Sequence, residues 1–325
     1  MTPEAPTVAE ASATCQRIID EVGRAVVGKR PALELVLSGL LSSGNVLLED
    51  LPGLGKTLIA RTFAQVTGLS IGRVQFTPDL MPADVTGSML FNQERRDFEF
   101  RPGPVFNNIV IADEINRAPP KTQAALLEAM QERRVTVDGV THDLPAPFIV
   151  LATQNPIEFE GTYPLPEAQV DRFLLRTSLG YSSAEDDVEI IRRRLDRRRD
   201  EMSLEPIVDV ATVLGLQQAM EDVEVSEPVI RYCVDLVRAT RVATDLHAGA
   251  SPRGVDALVK LGRARALLDG RSFVTPDDVK SVGVVALAHR VVLRPELWVR
   301  EIKAETVIES VLASVETPPT LPEPV

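Results

Sequence analysis

The chain has 325 residues, 44% of them hydrophobic and 25% charged, with a formal net charge of -12. That length suits two domains at roughly 100–200 residues each. The acidic balance argues against a general attraction to nucleic-acid phosphates or anionic membranes, and no run of about 18 apolar residues offers a membrane span.

The start, MTPEAPTVAE, lacks the basic-then-apolar order of a secretory signal, so the expected compartment is the cytoplasm. Residues 1–13 are rich in Pro, Ala and Glu and are expected to be disordered, as is the Pro-rich tail over 313–325. Cys15 and Cys233 stand far apart and form no C-x-x-C, which speaks against a disulfide framework or a zinc site. From Thr14 to Leu41 the apolar spacing suits helices. NVLLE (45–49) is a short apolar run, and TLIARTFAQVTG follows it with helical spacing and Gly68 as a stop. IGRVQF, NIVIAD (108–113), FIVLAT (148–153) and FLLRTS (173–178) read as further strands, and PKTQAALLEAMQERR (120–134) as an amphipathic helix. VTVDGVTHDL turns at Asp138-Gly139 and reads as a β-hairpin. Apolar strands alternating with helices predict an α/β domain over 14–180, with a parallel sheet covered on both faces. After about Gly180 the strands stop, and five helical segments predict a smaller all-helical domain over 181–312.

LLEDLPGLGKTLIA (47–60) follows a strand and opens a helix, the context of a phosphate-binding loop. Asp50 stands where the pattern has its first glycine. Asp tolerates a left-handed conformation or bonds its own turn, so the exchange need not disable the loop. Backbone N–H groups of Gly53, Leu54, Gly55 and Lys56 can turn onto phosphate oxygens at the helix N-terminus. Lys56 adds a charge for the β- and γ-phosphates and Thr57 a hydroxyl for Mg2+; Pro52 and Leu58 complete the loop. NIVIADE ends a buried strand in two acids. Asp113 can hold the metal shell, and Glu114 can polarise a water for attack on the γ-phosphate. Asn155, in ATQNP, either orients that water or marks an Asn-Pro turn. Arg172, in LPEAQVDRF, either faces a neighbouring subunit's γ-phosphate or pairs with Glu167 or Asp171. Arg253, after Ser251-Pro252, either reaches the γ-phosphate from the lid side or caps its own domain.

Taken together, LLEDLPGLGKT, ADEINRAPPKTQAALLEAMQERRVTVDG, ATQNP and YPLPEAQVDRF resemble the MoxR group of AAA+ ATPases, over about residues 20 to 300. The group shares the Asp at position 50. The resemblance implies a P-loop core followed by a helical lid, with ATP and Mg2+ as cofactors. Lys56 and Thr57 are then Walker A, Asp113 and Glu114 Walker B, Asn155 sensor 1, Arg172 the arginine finger and Arg253 sensor 2. Val26, Val27 and Gly28 take the place where such proteins contact adenine. GSMLFNQERRDFEFRPGPVF resembles the insert in the second helix of this clade, and VTVDGVTHDL its hairpin before sensor 1. Also implied are a hexameric homo-oligomeric ring, a protein client and a partner carrying a von Willebrand factor A domain.

Other readings are weaker. The run RRRLDRRRD (192–200) is interleaved with Asp and flanked by Glu, as expected of a salt-bridged solvated helix. His142, His247 and His289 have no metal-ligand spacing, and no nucleophile pair is recognisable. With ten Phe, three Tyr and one Trp, little is left for base stacking. An ATP-gated scaffold with little turnover is the alternative function, though a pure binder needs neither Glu114 nor Arg172. A nucleic-acid motor runs against the net charge.

Overall fold

The computed structural model describes residues 6–51, 53–155, 161–199, 202–298 and 300–319. In chain order the elements are α1 (Val8–Ala25), α2 (Arg30–Leu41), β1 (Val46–Glu49), α3 (Lys56–Thr67), β2 (Ile71–Gln75), α4 (Pro82–Thr86), β3 (Gly87–Asn92), β4 (Asp97–Pro102), β5 (Ile109–Asp113), α5 (Pro120–Glu132), β6 (Arg134–Val137), β7 (Val140–Asp143), β8 (Ile149–Gln154), α6 (Glu167–Val170) and β9 (Leu175–Thr177). Then follow α7 (Ala184–Arg197), α8 (Val210–Glu221), α9 (Glu227–Val242), β10 (Leu246–Ala248), α10 (Pro252–Leu268), α11 (Pro276–Leu287), β11 (Val292–Leu293), α12 (Pro295–Trp298) and α13 (Ala304–Ser314). The chain divides into two compact units, one of Arg17–Arg172 with Thr177–Leu214, the other of Met1–Gln16, Phe173–Arg176 and Gly215–Val325.

A five-stranded sheet runs in the order β2-β5-β8-β1-β9, and β2, β5, β8 and β1 lie in the first unit. The β2–β5, β5–β8 and β8–β1 pairings are parallel. β5 and the apolar run of β8 are buried throughout, β5 down to its terminal Asp113, because helices cover both faces and favour unbroken apolar runs. Full burial of each Val, Leu or Ile there stabilises by about 1.5–3 kcal/mol. β2 lies at the sheet edge and alternates exposed and buried, Ile71, Arg73 and Gln75 facing outward. The hairpin expected over VTVDGVTHDL (135–144) forms as β6 and β7, turning at Asp138 (φ 49°) and Gly139 (φ 81°). The insert-like segment also forms a hairpin, β3 with β4. Phe100 stacks on His142 (centroids 4.0 Å apart) and makes an edge contact with Phe106 at its base, and Phe91 faces Phe98 near its exposed tip.

The second unit carries α9, α10, α11 and α13 around a core that includes Leu236, Val237, Leu258, Leu261, Leu287 and Ile308, all 0% exposed. α11 starts on a capping box: Thr275 Oγ1 accepts the Asp278 N–H, and Asp278 Oδ2 accepts the Thr275 N–H at 2.7 Å. Arg271 neutralises the same buried carboxylate at 2.6 Å.

Three expectations differ from the structure. Helix α1 begins at Val8, inside the stretch expected to be disordered. Its start is a Thr7-x-x-Glu10 box, in which Glu10 Oε2 accepts from both the N–H and the hydroxyl of Thr7. Strands also do not stop at Gly180: β10 and β11 pair antiparallel, too short at three and two residues for alternation to register. Helix α13 runs to Ser314, two residues into the expected tail, of which 320–325 lie outside the described residues. Of the charged run 192–200 expected to be a solvated helix, 192–197 lie in α7, where Glu189 pairs with Arg192 and Arg193 at 3.0 and 2.7 Å, and residue 200 lies outside the described residues. Cys15 and Cys233 are free and buried. Burial pushes both thiols up to about 12, which leaves them without thiolate chemistry.

Candidate nucleotide site

In a parallel sheet the chain leaves every strand on the same side, so residues just past the C-terminal ends of neighbouring strands meet. Here β1 runs into the loop 50–55, β5 into Asp113-Glu114 and β8 into Asn155, and β8 lies between the other two. Fold topology thus brings together three motifs that lie up to about a hundred residues apart in sequence.

Gly53 (φ 83°) and Gly55 (φ 89°) both take the left-handed conformation that an L side chain resists. A Cβ on either would meet nothing within 4 Å, so the loop borders open room at the first turn of α3, where free N–H groups and the helix dipole favour an anion. Lys56 Nζ donates to the Asp50 carbonyl at 2.6 Å. Burial lowers the Lys56 pKa and outweighs the attraction of Asp50, Asp113 and Glu114. A polyphosphate in the loop would supply the missing negative charge. Leu54 is half-buried and Leu58 exposed; Pro52 lies outside the described residues.

Asp50 does something other than the sequence suggested. It does not adopt a positive φ, and its carboxylate does not bond its own turn. The side chain, 6% exposed, accepts the N–H of Leu179 on one oxygen and that of Gly180 on the other, at 3.1 Å for the latter. Lys29 Nζ donates to the Gly180 carbonyl at 2.9 Å. The residue replacing the pattern's first glycine therefore clasps the loop to the segment leading into α7. Asp50→Gly, which restores the common pattern, is expected to cost about 1–3 kcal/mol, because the Leu179 N–H stays buried without its charged acceptor. Asp50→Asn should lose less. Urea unfolding midpoints check this, and a midpoint for Asp50→Gly equal to wild type would sink the clasp.

Asp113 is 6% exposed. Its Oδ2 faces Thr57 Oγ1 at 3.4 Å and takes an ion pair from Arg73 Nε at 2.7 Å; its Oδ1 faces Thr153 Oγ1 at 3.4 Å. A carboxylate beside a hydroxyl is a hard-oxygen pair of the kind Mg2+ takes, so these residues fit the metal. Glu114 sits in the left-handed region (φ 56°, ψ 50°), which costs a non-glycine residue roughly 1–2 kcal/mol. Its N–H donates to Thr153 Oγ1 at 2.9 Å, and its Oε2 accepts from Gln75 Nε2 at 3.0 Å and Arg117 at 2.9 Å. Asn155 is buried directly after β8. Thr153, Arg73, Gln75 and Arg117 escaped the sequence reading. Thr153 alone left a signal, a polar residue inside an apolar strand.

Val26 and Gly28 line a cavity of about 390 Å³ with Ile19, Gly23, Pro31 and Leu33, and Val27 is half-buried beside them. The Asp20–Arg30 ion pair (2.6 Å) lines the same cavity, so its wall is part apolar and part charged, and the apolar part suits a flat heterocycle. Gly28 takes a left-handed φ of 71° that an L side chain resists, and an added Cβ would also press on the Asp186 carboxylate. Arg172 follows the short α6, its N–H donating to the Gln169 carbonyl at 3.2 Å. Its Nε is buried with no hydrogen-bond partner, and no ion pair to Glu167 or Asp171 forms. Arg253 lies in the first turn of α10, its N–H capped by Ser251 Oγ at 3.2 Å.

Known proteins with this architecture are numerous. A family model described as ATPase family associated with various cellular activities (AAA) matches residues 45–175, and one for the AAA lid domain matches 238–311. The chain is 44% identical to the uncharacterized protein YeaC of Bacillus subtilis, covering 93% of this chain and 94% of that one. It is also 44% identical to Chaperone MoxR1 of Mycobacterium tuberculosis (94% and 82% covered) and 33% identical to Protein MoxR of Methylorubrum extorquens (92% and 93%). The crystal structure of a candidate ATPase from Cytophaga hutchinsonii superposes with a TM-score of 0.89 at 40% identity, over 95% of this chain and 98% of that one.

Proposed function

The chain belongs to the MoxR family of AAA+ ATPases and is an ATPase with a P-loop core and a helical lid domain; from that premise we propose that the residues gathered past β1, β5 and β8 are its hydrolytic site, and that turnover remodels a protein client. The observation that carries the assignment is the open room over Gly53 and Gly55, flanked by Lys56 and by the Thr57–Asp113 pair. In this reading Gly53, Leu54, Gly55 and Lys56 hold the phosphates, with Pro52 and Leu58 at the edges of the loop and Val26, Val27 and Gly28 at the base. Thr57 and Asp113 hold Mg2+, which when bound neutralises charge on the phosphates. Glu114 takes the proton of the attacking water, Asn155 orients that water, Arg172 serves a neighbouring subunit, and Arg253 is the sensor-2 arginine by family resemblance.

A finger supplied in trans needs an adjacent like subunit, and a hexameric ring is the proposed assembly. A chaperone-like role is supported by the relative named Chaperone MoxR1. The further proposal of a partner with a von Willebrand factor A domain rests on the family resemblance. Among the described residues no helix is long and apolar enough to cross a membrane, which accords with a cytoplasmic setting. Lys56→Ala is expected to weaken nucleotide binding at least tenfold, since a charge-assisted hydrogen bond to phosphate is worth about 1.5–3 kcal/mol. Titration of a fluorescent ATP analogue reads this; unchanged affinity would mean the phosphates bind elsewhere.

A further inference from the structure

The Asp113 oxygen nearest Thr57 is already taken. Oδ2 faces the Thr57 hydroxyl and also receives the guanidinium of Arg73 at 2.7 Å. Any cation held jointly by Thr57 and Asp113 must use the side of the carboxylate that Arg73 now covers. The two partners differ in freedom: the Asp113 side chain is 9% exposed and that of Arg73 56% exposed. Arg73 comes from the outward face of edge strand β2, where Gln75 takes a second bond from its guanidinium at 3.2 Å. Asp113 cannot move without disturbing a buried strand end, whereas the exposed Arg73 can turn into solvent when another charge takes its place on Asp113.

We propose that Arg73 is a positioning residue that competes with the divalent cation for Asp113, so that metal enters only as the guanidinium leaves. The proposal rests on the nucleotide-site reading given above. The competition has a physical sense. A buried carboxylate with no counter-charge is costly, and Arg73 neutralises it whenever metal is absent. The same contact raises the metal concentration needed to fill the site. Metal loading then depends on what else draws the arginine away, and an incoming polyphosphate is a group able to do so.

The test separates competition from support. A fluorescent ADP analogue is bound without metal and Mg2+ is titrated in, with the metal-dependent gain in nucleotide affinity as the readout and no turnover required. Arg73→Gln removes the charge at an exposed position, and Arg73→Lys keeps it. With one exposed and one buried partner, the pair is worth about 1 kcal/mol or more, so Arg73→Gln should lower the Mg2+ midpoint by about fivefold or more. Arg73→Lys should stay near wild type. In an Asp113→Asn background the Arg73→Gln shift should vanish, as a double-mutant cycle requires of residues acting on each other. A midpoint that rises with Arg73→Gln would show that Arg73 only steadies Asp113, and an unchanged midpoint, or a shift that persists beside Asn at 113, would equally overturn the competition. Failure of the wild type to bind the nucleotide at all would instead overturn the site assignment on which this inference stands.

Discussion

Replacing Glu114 by Gln is expected to leave nucleotide bound while hydrolysis falls by about a hundredfold or more, the usual worth of a positioned general base. The two effects separate because the groups that bind and the group that reacts lie on different strands. Lys56 and Thr57 open α3 after β1, and Glu114 follows β5. The exchange is nearly isosteric: the new amide oxygen still accepts the bonds that Gln75 Nε2 and Arg117 now give to Oε2. The left-handed backbone at 114, tied to Thr153 Oγ1, needs no change either. What disappears is a basic oxygen able to take a proton from water. Phosphate release in steady state, beside binding of a fluorescent ATP analogue, tests the separation. Turnover near wild type would move the base to another residue. Binding lost together with turnover would mean that Glu114 holds the site in shape.

Much of this site was legible because its parts are contiguous in sequence. The loop 50–57 and the pair 113–114 each declare themselves by glycines or acids at the end of an apolar run. The parallel sheet was legible for a related reason: strands buried on both faces read as unbroken apolar stretches. The role of Asp50 was not legible, because its partners Leu179 and Gly180 lie about 130 residues on, and backbone N–H groups carry no sequence signature. Arg73 and Gln75 were hidden for the opposite reason. On an edge strand, alternating polar residues read as a solvated face, and only the register of β2 against β5 brings that face to the two carboxylates. The extra pair β10–β11 was missed because so few residues carry no period.

Arg172→Ala is expected to bind ATP almost as wild type does and to hydrolyse it about a thousandfold more slowly, if Arg172 acts on the neighbouring subunit's nucleotide as arginine fingers do elsewhere. Binding should survive because Lys56, Thr57 and Asp113 stay intact. The geometry within the subunit is compatible with this role without marking it, since Arg263, ion-paired to Glu221, carries a buried Nε of the same kind. Arg172 makes no ion pair with Glu167 or Asp171, and its Nε is buried without a hydrogen-bond partner. An unsatisfied guanidinium nitrogen in a folded chain is the kind of defect that a partner molecule relieves. A finger acting between subunits also makes specific activity rise with protein concentration, because assembly completes the site. Mixing two inactive variants gives the sharpest result. Lys56→Ala subunits have a finger and no working pocket; Arg172→Ala subunits have a pocket and no finger. In a mixed ring some junctions set an intact finger against an intact pocket, so activity should return in part, to a level set by the mixing ratio. Subunit exchange is followed separately with two fluorescent labels. If the labels mix and activity stays absent, Arg172 serves its own subunit, and the shared site is wrong.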